Sequence, residues 1–466
     1  MFSACKIEFF ADLFYYEAMK ILVVGSGGRE HAISWRLAKS GQVDEVICVP
    51  GNGGTINETK CRNINPADCD YAETLTGNDA IAQVASFEQV DFAVVGPEDP
   101  LCAGLADQLW SVGIPTVGAK SAGAALEGSK DFAKAFMKKY GVAAAASESF
   151  TDQALAEEYV KKHGAPIVIK ADGLAAGKGV VVAPTVEVAL KAIKDFMQDG
   201  KLGEAGAKLV IEDYLQGVEI SVLAAVSVTK ELTAKGKSCI IPFVPARDHK
   251  RLNDGAKGPN TGGMGAVAPL SDVSAETMAQ FNKDILEPTL KGLEAEGFDY
   301  RGFIFFGVML CKDGPKLLEY NVRLGDPETQ AVLPLMDFDF AELCKAIIDE
   351  KQTGTLKDFA PSIKWKNGFV CAPVAVSGGY PNAYAKGKEI TLKKGNENTK
   401  VFIAGGQQKN GKLLTSGGRV LAVSAFGSTF DEAFKTAYAA MEDVSFDGMF
   451  YRKDIGLPGA AESGEL

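Results

Sequence analysis

The sequence MKILVVGSGGREH occupies residues 19–31 and decides the fold of the first part of the chain. Its β-branched run from Lys20 to Val24 predicts a buried strand, Gly25 to Gly28 predict a tight turn, and the spacing of apolar residues after Glu30 predicts a helix. This order recurs, with further strands expected at residues 46–49, 92–95 and 113–118. Strands that alternate with helices favour a doubly wound parallel sheet. We therefore expect an α/β domain over residues 19–121.

The composition indicates a folded globular protein, and 466 residues at about 150 per domain predict roughly three domains. The 49 Lys and Arg against 60 Asp and Glu give a net charge of −11, so we expect neither nucleic acid nor a membrane as a partner. No apolar run approaches the roughly 18 residues that span a bilayer. The nine cysteines show no zinc-ligand spacing, which favours reduced thiols and a cytoplasmic location.

The pattern of predicted strands and helices changes twice after the first domain. Residues 122–342 form a second α/β region with antiparallel-looking segments, and its polar stretch at 245–265 is too long for a simple connector. Residues 343–466 contain short strand patterns separated by Gly and Asn, which predict a β-rich domain. The first 18 residues suit neither a secretory signal nor a transit peptide. We hypothesise that Met19 is the functional start and that this extension is dispensable.

The glycine-rich turn after the first strand is a candidate anion site. Gly27, Gly28 and Arg29 stand at a predicted helix N-terminus, where backbone N–H groups and the helix dipole favour a phosphate. The dinucleotide-binding pattern is incomplete, because Glu30 replaces its third glycine and the second strand ends in VPGNG without an acidic residue. A small phosphorylated ligand therefore fits better than NAD, and a purely structural turn is the alternative. Glu98 follows another parallel strand and would face the same crevice.

Lysines and glycines predict a nucleotide phosphate site in the central region. Lys170 ends an apolar strand, and Gly-Lys-Gly follows at residues 177–179 in a flexible turn between two strands. Such a hairpin can close over phosphates, although a plain structural hairpin explains the pattern equally well. Lys130 adds a further cation before a predicted helix.

Two acidic segments complete the candidate site. The segment from Glu212 to Leu215 joins two strands, where backbone groups can bind an adenine edge and Glu219 can accept ribose hydroxyls. The side chains at 319, 321 and 323 are Glu, Asn and Arg, and this spacing places them on one face of a strand. Carboxylate and amide oxygens suit a hard cation such as Mg²⁺, and a guanidinium suits a carboxylate or phosphate. An exposed polar strand face is the alternative.

These segments occur in the order and spacing typical of ATP-grasp ligases, and the chain resembles the glycinamide ribonucleotide synthetase family of purine biosynthesis. The resemblance runs from Met19 to about Gly456. It is carried by the motifs GGREH at 27–31, PGNGGT at 50–55, GPE at 96–98, DHKR at 248–251, GPNTGGMG at 258–265, NVRLGDPE at 321–328, TSGGRV at 415–420 and YRKDIG at 451–456. Many ATP-grasp enzymes carry a further acidic metal ligand on the strand before Glu319, where this chain has the apolar GFIFFG at 302–307.

The resemblance implies an N-terminal doubly wound domain, a central ATP-grasp domain over 122–342 with a mobile lid at about 144–212, and a C-terminal β-rich domain. It implies ligation of glycine to 5-phosphoribosylamine through a glycyl phosphate, with ATP as co-substrate and Mg²⁺ or Mn²⁺ as cofactor, in de novo purine (IMP) biosynthesis. The expected partners are these small molecules, and the expected state is a monomer or weak dimer. The alternatives are another ATP-grasp carboxylate–amine ligase of purine metabolism, a carboxylase-type relative, and a nucleotide-binding regulator without catalysis.

The resemblance also implies roles for individual residues. Metal binding falls to Glu319 and Asn321, and catalytic roles to Arg323, Asp248 and Lys250. ATP binding falls to Lys130, Lys170, Gly177, Lys178, Gly179, Glu212, Tyr214, Leu215 and Glu219. Phosphoribosylamine binding falls to Gly27, Gly28, Arg29, Glu30, Asn52, Gly53, Pro97, Glu98 and Gly325. The chemistry requires no histidine base, so none is predicted for His31, His163 or His249.

Overall fold

The computed structural model describes residues 19–174, 179–199, 201–349, 351, 353–393 and 397–461. The extension at residues 1–18 and the turn residues Gly177 and Lys178 lie outside this range. Among the described residues, no helix combines the length and the apolar character needed to cross a membrane.

The N-terminal domain is a parallel sheet with an apolar core on each face. Along its central strand, Leu22 and Val24 belong to one core and Ile21 and Val23 to the other, as the predicted buried strand requires. The strand order is β5-β4-β1-β2-β3, all parallel. The strands are β1 (Met19–Gly25), β2 (Val43–Pro50), β3 (Cys61–Asn63), β4 (Phe92–Val95) and β5 (Thr116–Ala119). The helices are α1 (Gly28–Ala38), α2 (Gly77–Phe87), α3 (Glu98–Cys102), α4 (Leu105–Ser111) and α5 (Ser121–Gly128).

A small lid follows helix α6 (Lys130–Tyr140). It has an antiparallel sheet in the order β6-β9-β7-β8 and a hydrophobic core of its own, to which Val160, Ile169, Ile193 and Ile211 contribute. Its elements are β6 (Ser147–Phe150), α7 (Gln153–His163), β7 (Ile167–Ala171), β8 (Val180–Ala183), α8 (Val186–Ile193) and β9 (Leu209–Asp213). This unit occupies the chain segment where the sequence predicts a lid.

The rest of the central domain is built on two long antiparallel strands, β10 and β16. Its strands are β10 (Val218–Val228), β11 (Cys239–Pro242), β12 (Arg247–Asp248), β13 (Arg251–Asn253), β14 (Lys257–Asn260), β15 (Gly265–Ala268), β16 (Tyr300–Cys311) and β17 (Gly314–Asn321). Its helices are α9 (Lys230–Ala234), α10 (Ala275–Phe281) and α11 (Glu287–Ala295).

The N-terminal and central domains share one nine-stranded sheet, because β16 pairs with β5. The two strands meet at Tyr300 opposite Ala119 and Arg301 opposite Gly118. A Cβ on Gly302 would lie only 3.0 Å from the backbone of Gly118, so this close approach requires a glycine. The junction therefore joins the two domains through one continuous sheet.

Pro288 distorts a long helix without breaking it. Between α10 and α11 the helix continues through a π-helical turn at Asn282–Leu286. Because proline has no N–H, the carbonyl of Asp284 receives no helical hydrogen bond from position 288. That carbonyl instead accepts a hydrogen bond from the backbone N–H of Ala143, at 2.9 Å. This hydrogen bond ties the helix to the chain that enters the lid.

The C-terminal sheet incorporates the long polar segment of the central domain. Its strand order is β12-β15-β18-β23-β20, and β25 pairs with β18. The first two strands of this order, β12 and β15, lie within residues 245–268. The remaining strands are β18 (Phe369–Ser377), β19 (Thr391–Leu392), β20 (Thr399–Ile403), β21 (Gly406–Lys409), β22 (Lys412–Thr415), β23 (Arg419–Gly427), β24 (Val444–Ser445) and β25 (Met449–Phe450). The helices are α12 (Glu328–Val332), α13 (Phe340–Ile348), α14 (Leu356–Phe359) and α15 (Phe430–Met441).

Candidate active site

Glu319 lies at the centre of a group of positive side chains near the end of β17. Burial raises the pKa of its carboxyl group, but the ammonium groups of Lys250, Lys170 and Lys130 offset burial and hold that pKa below its usual range. Glu319 is therefore a carboxylate at neutral pH. Asn321 follows on the same face of β17, but the strand ends there, so Arg323 lies beyond it and the predicted face holds only two of the three side chains.

The protein offers two oxygen ligands for a cation here. On the neighbouring strand β16, Gly307 lies opposite Glu319 and Phe305 lies opposite Asn321, so the partner strand adds no carboxylate. Across the described part of the chain, no group of three or more His, Cys, Asp or Glu side chains is arranged to hold a metal ion. A divalent cation that takes its other ligands from nucleotide phosphates and water fits this donor set.

A buried carboxylate fixes the predicted phosphate-binding lysine. Lys170 Nζ lies 2.9 Å from Glu212 Oε1 and 3.2 Å from the carbonyl oxygen of Leu318. The other carboxylate oxygen of Glu212 lies 2.8 Å from Lys134 Nζ, and all three charged side chains are buried. Lys134 is absent from the predicted site, although it follows Lys130 by one helical turn on α6. Burial lowers its pKa.

The base of the glycine-rich hairpin is tied to helix α6. Lys130 Nζ donates to the carbonyl oxygen of Gly173, at 3.1 Å. Asp172 Oδ1 accepts hydrogen bonds from Ser129 Oγ, at 3.0 Å, and from the backbone N–H of Asp131, at 3.2 Å. The predicted phosphate-binding hairpin therefore starts next to the predicted lysines, while its tip lies outside the described residues.

The segment between β9 and β10 leads from the lid to the rest of the central domain. Tyr214 and Leu215 are half-buried in it. The carboxylate of Glu219, predicted to bind ribose, forms an ion pair with the ammonium group of Lys250. Burial lowers the pKa of Lys250, but the carboxylates of Glu219 and Glu319 raise it above its usual value. Lys250 therefore carries its charge between the predicted ribose and metal positions.

Two carboxylates of the N-terminal domain hold Arg323. Its Nε lies 3.1 Å from Glu98 Oε2, and its Nη2 lies 2.9 Å from Glu127 Oε1. The second oxygen of Glu127 accepts a hydrogen bond from the backbone N–H of Val322, at 2.7 Å. Burial raises the pKa of Glu127 to about 7. Sequence reasoning missed Glu127, a single acidic residue in a helix of small residues.

The glycine-rich turn is closed by the residue that replaces the third glycine. Glu30 Oε2 accepts a hydrogen bond from the backbone N–H of Gly27, and Glu30 Oε1 accepts one from Arg29 Nε, each at 2.5 Å. A Cβ on Gly25 would lie 2.5 Å from the Glu30 side chain, so this carboxylate fills the space between the strand end and the helix. Arg29 Nη1 donates to the carbonyl oxygen of Leu324, at 3.1 Å.

The predicted substrate loop links the N-terminal and C-terminal domains. Asn52 Nδ2 donates to the carbonyl oxygens of Ser26, at 2.9 Å, and Ile403, at 2.8 Å. The backbone N–H of Gly53 donates to the carbonyl oxygen of Gly406, at 2.8 Å. Both residues thus hold the turn against the C-terminal sheet. Pro97 directly precedes α3.

The C-terminal domain also supplies an arginine. Arg419 Nη1 donates to the carbonyl oxygens of Gly262, at 2.5 Å, and Asp326, at 2.6 Å. It thereby joins the long polar loop to the segment after β17. Gly325 lies in that segment, where an added Cβ would be 2.4 Å from Glu328 Oε2. The motif around Arg419 is visible in the sequence, but its reach into this site is not.

The histidines serve contacts between chain segments. His31 Nδ1 accepts a hydrogen bond from the backbone N–H of Ile403, at 2.8 Å. His249 Nε2 accepts one from the backbone N–H of Gly456, at 2.9 Å. Burial lowers the pKa of His249 to about 3. His163 lies near the lid surface, 3.0 Å from Asp213.

Comparison with known proteins gives one consistent family. Three consecutive stretches match phosphoribosylglycinamide synthetase: the N domain at residues 19–127, the ATP-grasp (A) domain at 128–329 and the C domain at 370–458. The chain is 49% identical over 440 residues to the phosphoribosylamine–glycine ligase of Clostridium acetobutylicum, covering 94% of this chain and 99% of that protein. It is 42% identical over 442 residues to the trifunctional purine biosynthetic protein adenosine-3 of Gallus gallus, covering 94% of this chain and 42% of that protein.

Solved structures agree with this assignment. The crystal structure of phosphoribosylamine–glycine ligase from Thermotoga maritima matches with a TM-score of 0.77 and 35% identity, covering 94% of this chain and all (100%) of that one. Biotin carboxylase from Campylobacter jejuni matches with a TM-score of 0.68 and 15% identity, covering 93% of each chain. The second likeness shows a shared fold.

Proposed function

The chain belongs to the phosphoribosylglycinamide synthetase family, and on that basis we propose that it ligates glycine to 5-phosphoribosylamine to give glycinamide ribonucleotide in purine biosynthesis. It is an ADP-forming carbon–nitrogen ligase with an ATP-grasp domain. The observation that carries the proposal is the position of Glu319, which lies among three lysines where the lid, the central domain and the N-terminal domain meet.

The reaction has two steps. A carboxylate oxygen of glycine attacks the γ-phosphorus of ATP, the bond to the β-phosphate oxygen breaks, and ADP leaves. The amine nitrogen of phosphoribosylamine then attacks the carbonyl carbon of glycyl phosphate, inorganic phosphate leaves with the C–O bond pair, and the amine loses a proton. Neither step requires a covalent bond to the protein, so alignment and charge neutralisation are what the site must provide.

The residues around β17 suit the first step. We assign Lys170 and Lys130 to the ATP phosphates, and we assign Arg323, which Glu98 and Glu127 hold, to the reacting carboxylate. Lys250 and Asp248 flank the same space. A divalent cation held by Glu319 and Asn321 would neutralise phosphate charge when bound, and oxygen ligands of this kind suit Mg²⁺ and Mn²⁺.

The lid and the segment after it suit ATP binding. Glu212 positions Lys170, while the backbone of Tyr214 and Leu215 borders the proposed adenine site and Glu219 the proposed ribose site. Gly177, Lys178 and Gly179 belong to the hairpin whose base Lys130 contacts. Closure of that hairpin would exclude water from the acyl phosphate.

The N-terminal turn suits phosphoribosylamine. A Cβ on Gly27 would lie 3.3 Å from Asp326 Oδ2, so the turn adjoins the segment that follows the metal-binding strand. Arg323 and Arg29 both approach Glu98, which connects the two sites. The residues proposed to bind phosphoribosylamine are Gly27, Gly28, Arg29, Glu30, Asn52, Gly53, Pro97, Glu98 and Gly325.

The free thiols of the described cysteines and the small-molecule chemistry support a cytoplasmic enzyme. We propose a monomer or weak dimer, which is the state that the family resemblance implies. Sedimentation velocity over a range of concentrations tests this state.

The direct test of function is ADP release by the purified protein with Mg-ATP and glycine, with and without phosphoribosylamine generated in situ. Release that requires both co-substrates, with equal formation of the amide, is the expected result. ADP release that requires glycine but does not depend on phosphoribosylamine would be consistent with the ATP-grasp assignment. It would contradict phosphoribosylamine as the amine substrate.

A further inference from the structure

Asp248 carries a buried oxygen atom that lacks a hydrogen-bond donor. Its Oδ1 has almost no contact with solvent, and no donor among the described residues bonds to it. Buried polar atoms are nearly always paired in folded proteins, and the exceptions concentrate where a ligand or water completes the site. Asp248 stands on β12, within the site described above, so its missing partner is expected to be a substrate group.

Two glycines leave space around this oxygen. A Cβ on Gly263 would lie 2.5 Å from Asp248 Oδ1 and 2.5 Å from Pro327 Cδ, so the Asp248 carboxylate adjoins the segment that leads into Glu328. The Oε2 atom of Glu328 occupies the position beside Gly325, 2.4 Å from where a Cβ would be. Any larger residue at either position would collide with a carboxylate of this space.

The Glu328 side chain is a second buried carboxyl group in this space. Its Oε1 accepts a hydrogen bond from Ser221 Oγ, at 2.8 Å, and the residue is 4% exposed. Burial raises the pKa of Asp248 well above its usual range, and the nearby carboxylate of Glu328 raises it further. Two carboxyl groups in a dry space favour a cationic donor between them.

The nearby cationic side chains of the protein are paired with other groups. Lys250 forms an ion pair with Glu219, and Arg419 donates to the carbonyl oxygens of Gly262 and Asp326. Both lower the pKa of Asp248 from a distance, but neither bonds to its Oδ1. The described residues therefore leave Asp248 Oδ1 available to a donor on a bound molecule.

We propose that Asp248 and Glu328 bind the ammonium group of the glycine substrate. This inference rests on the proposed function, in which the glycine carboxylate lies near Arg323 and the ATP phosphates. The ammonium nitrogen of glycine is two bonds from that carboxylate carbon, so it must lie beside the same segment. Asp248 and Glu328 are then specificity-determining residues that select a substrate with a positive charge next to its carboxylate.

The same contact has a chemical consequence. An ammonium group held between two carboxyl groups keeps its proton and has no free electron pair. It cannot attack an acyl phosphate, so the amine of phosphoribosylamine remains the nucleophile of the second step. The site thereby prevents self-condensation of glycine.

The test compares Asp248→Asn with the wild-type full chain. The asparagine keeps the size of the side chain and removes its charge. A charge-assisted hydrogen bond predicts a rise of about tenfold to a hundredfold in the KM for glycine, with the KM for ATP and for phosphoribosylamine nearly unchanged. Glu328→Gln is the second variant, and it should shift the KM for glycine in the same direction.

Asp254→Asn is the matched control. Asp254 lies in the same polar loop, is exposed, and accepts a hydrogen bond from the backbone N–H of Lys453 at 2.8 Å, which an asparagine preserves. Its kinetic constants should equal those of the wild type. Thermal unfolding of all variants identifies any loss of folded protein.

Glycolate separates recognition of the ammonium group from a general structural effect. It carries a hydroxyl group where glycine carries the ammonium group, and its inhibition constant against glycine measures binding without that charge. Asp248→Asn should weaken glycine and leave glycolate inhibition nearly unchanged. Equal weakening of both would overturn the proposal, as would an increase confined to the KM for phosphoribosylamine. Wild-type turnover that does not depend on glycine would instead refute the proposed function itself.

Discussion

The lid and the remainder of the molecule are held together in different ways. The N-terminal and central domains form a base with one continuous nine-stranded sheet and two large apolar cores. The lid has its own small core, and its contacts near the site are charged: Lys170 and Glu212 of the lid meet Lys134 of the base. Apolar packing fixes a geometry, whereas ion pairs can exchange partners with a charged ligand. The comparison predicts that a charged ligand changes the attachment of the lid more readily than the geometry of the base.

The largest effect is expected where base and lid meet. Glu319→Gln removes the carboxylate that faces Lys130, Lys170 and Lys250, so turnover should fall by about a hundredfold to a thousandfold while the protein stays folded. Steady-state turnover across a Mg²⁺ titration, together with thermal unfolding, measures this. Asp313→Asn on the exposed hairpin before β17 is the control and should have no effect. Undiminished turnover of the variant at limiting Mg²⁺ would show that Glu319 is not a metal ligand.

The second prediction breaks the charged contact between lid and base. Lys134→Met leaves the buried carboxylate of Glu212 with Lys170 alone, so the free energy of unfolding should fall by about 2 kcal/mol. The KM for ATP should rise, because Glu212 then orients Lys170 less well. Urea unfolding and ATP saturation curves measure the two effects. Lys138→Met, on an exposed position of the same helix, should change neither, and equal stability of the two variants would contradict the role of this contact.

The third prediction confines an effect to the base. Arg29→Ala should raise the KM for phosphoribosylamine about tenfold, which corresponds to about 1.4 kcal/mol, and leave the KM for ATP nearly unchanged. The guanidinium of Arg29 bonds to Glu30 and to the carbonyl oxygen of Leu324, at the turn proposed for this substrate. Saturation curves for both substrates measure the split. Parallel increases would mean that the turn does not belong to one substrate.

The smallest expected effect is a pH dependence of stability that arises in the base. The folded base lowers the pKa of His249 to about 3, below the unfolded value of about 6.5, so this residue stabilises the protein fully above pH 6.5 and progressively less as pH falls toward 3. At pH 5.5 its contribution should have decreased by about 1 kcal/mol. Hydrogen exchange measured at pH 7 and 5.5 should show the base, and not the lid, losing protection.

His249→Gln checks the assignment. The glutamine can still accept the hydrogen bond from Gly456 but does not titrate, so its stability should depend less on pH. His163→Gln is the parallel variant in the lid, where the side chain lies near the surface. An unchanged pH dependence in His249→Gln would assign the acid sensitivity to other groups.

The sequence predicts most of the structural features that depend on neighbouring residues. The strand at Lys20–Val24, its turn and its helix are confirmed because β-branched runs and glycine turns act over a few neighbouring residues. The alternation around Glu319 likewise identifies one face of a strand. The fold class is confirmed by the three matching family domains, whereas the individual site assignments remain predictions.

Residues that act across long distances in sequence were missed. Glu127 contacts Arg323 from a different domain, and Arg419 reaches the loop at Gly262 from the C-terminal sheet. Their roles follow from pairing between β16 and β5 and from the entry of β12 and β15 into the C-terminal sheet. No local pattern encodes those pairings, because they depend on the assembled cores.

The helical distortion at Pro288 provides an anchor for the chain where it enters the lid. The Asp284 carbonyl that the proline leaves unbonded accepts from the N–H of Ala143, and the carbonyl of Ala143 accepts from the N–H of Leu317 at 2.8 Å. Ala143 is thus anchored on both sides just before the lid begins. A rotation of the lid about Ala143 would therefore take place at a point that is hydrogen-bonded to the strand carrying Glu319.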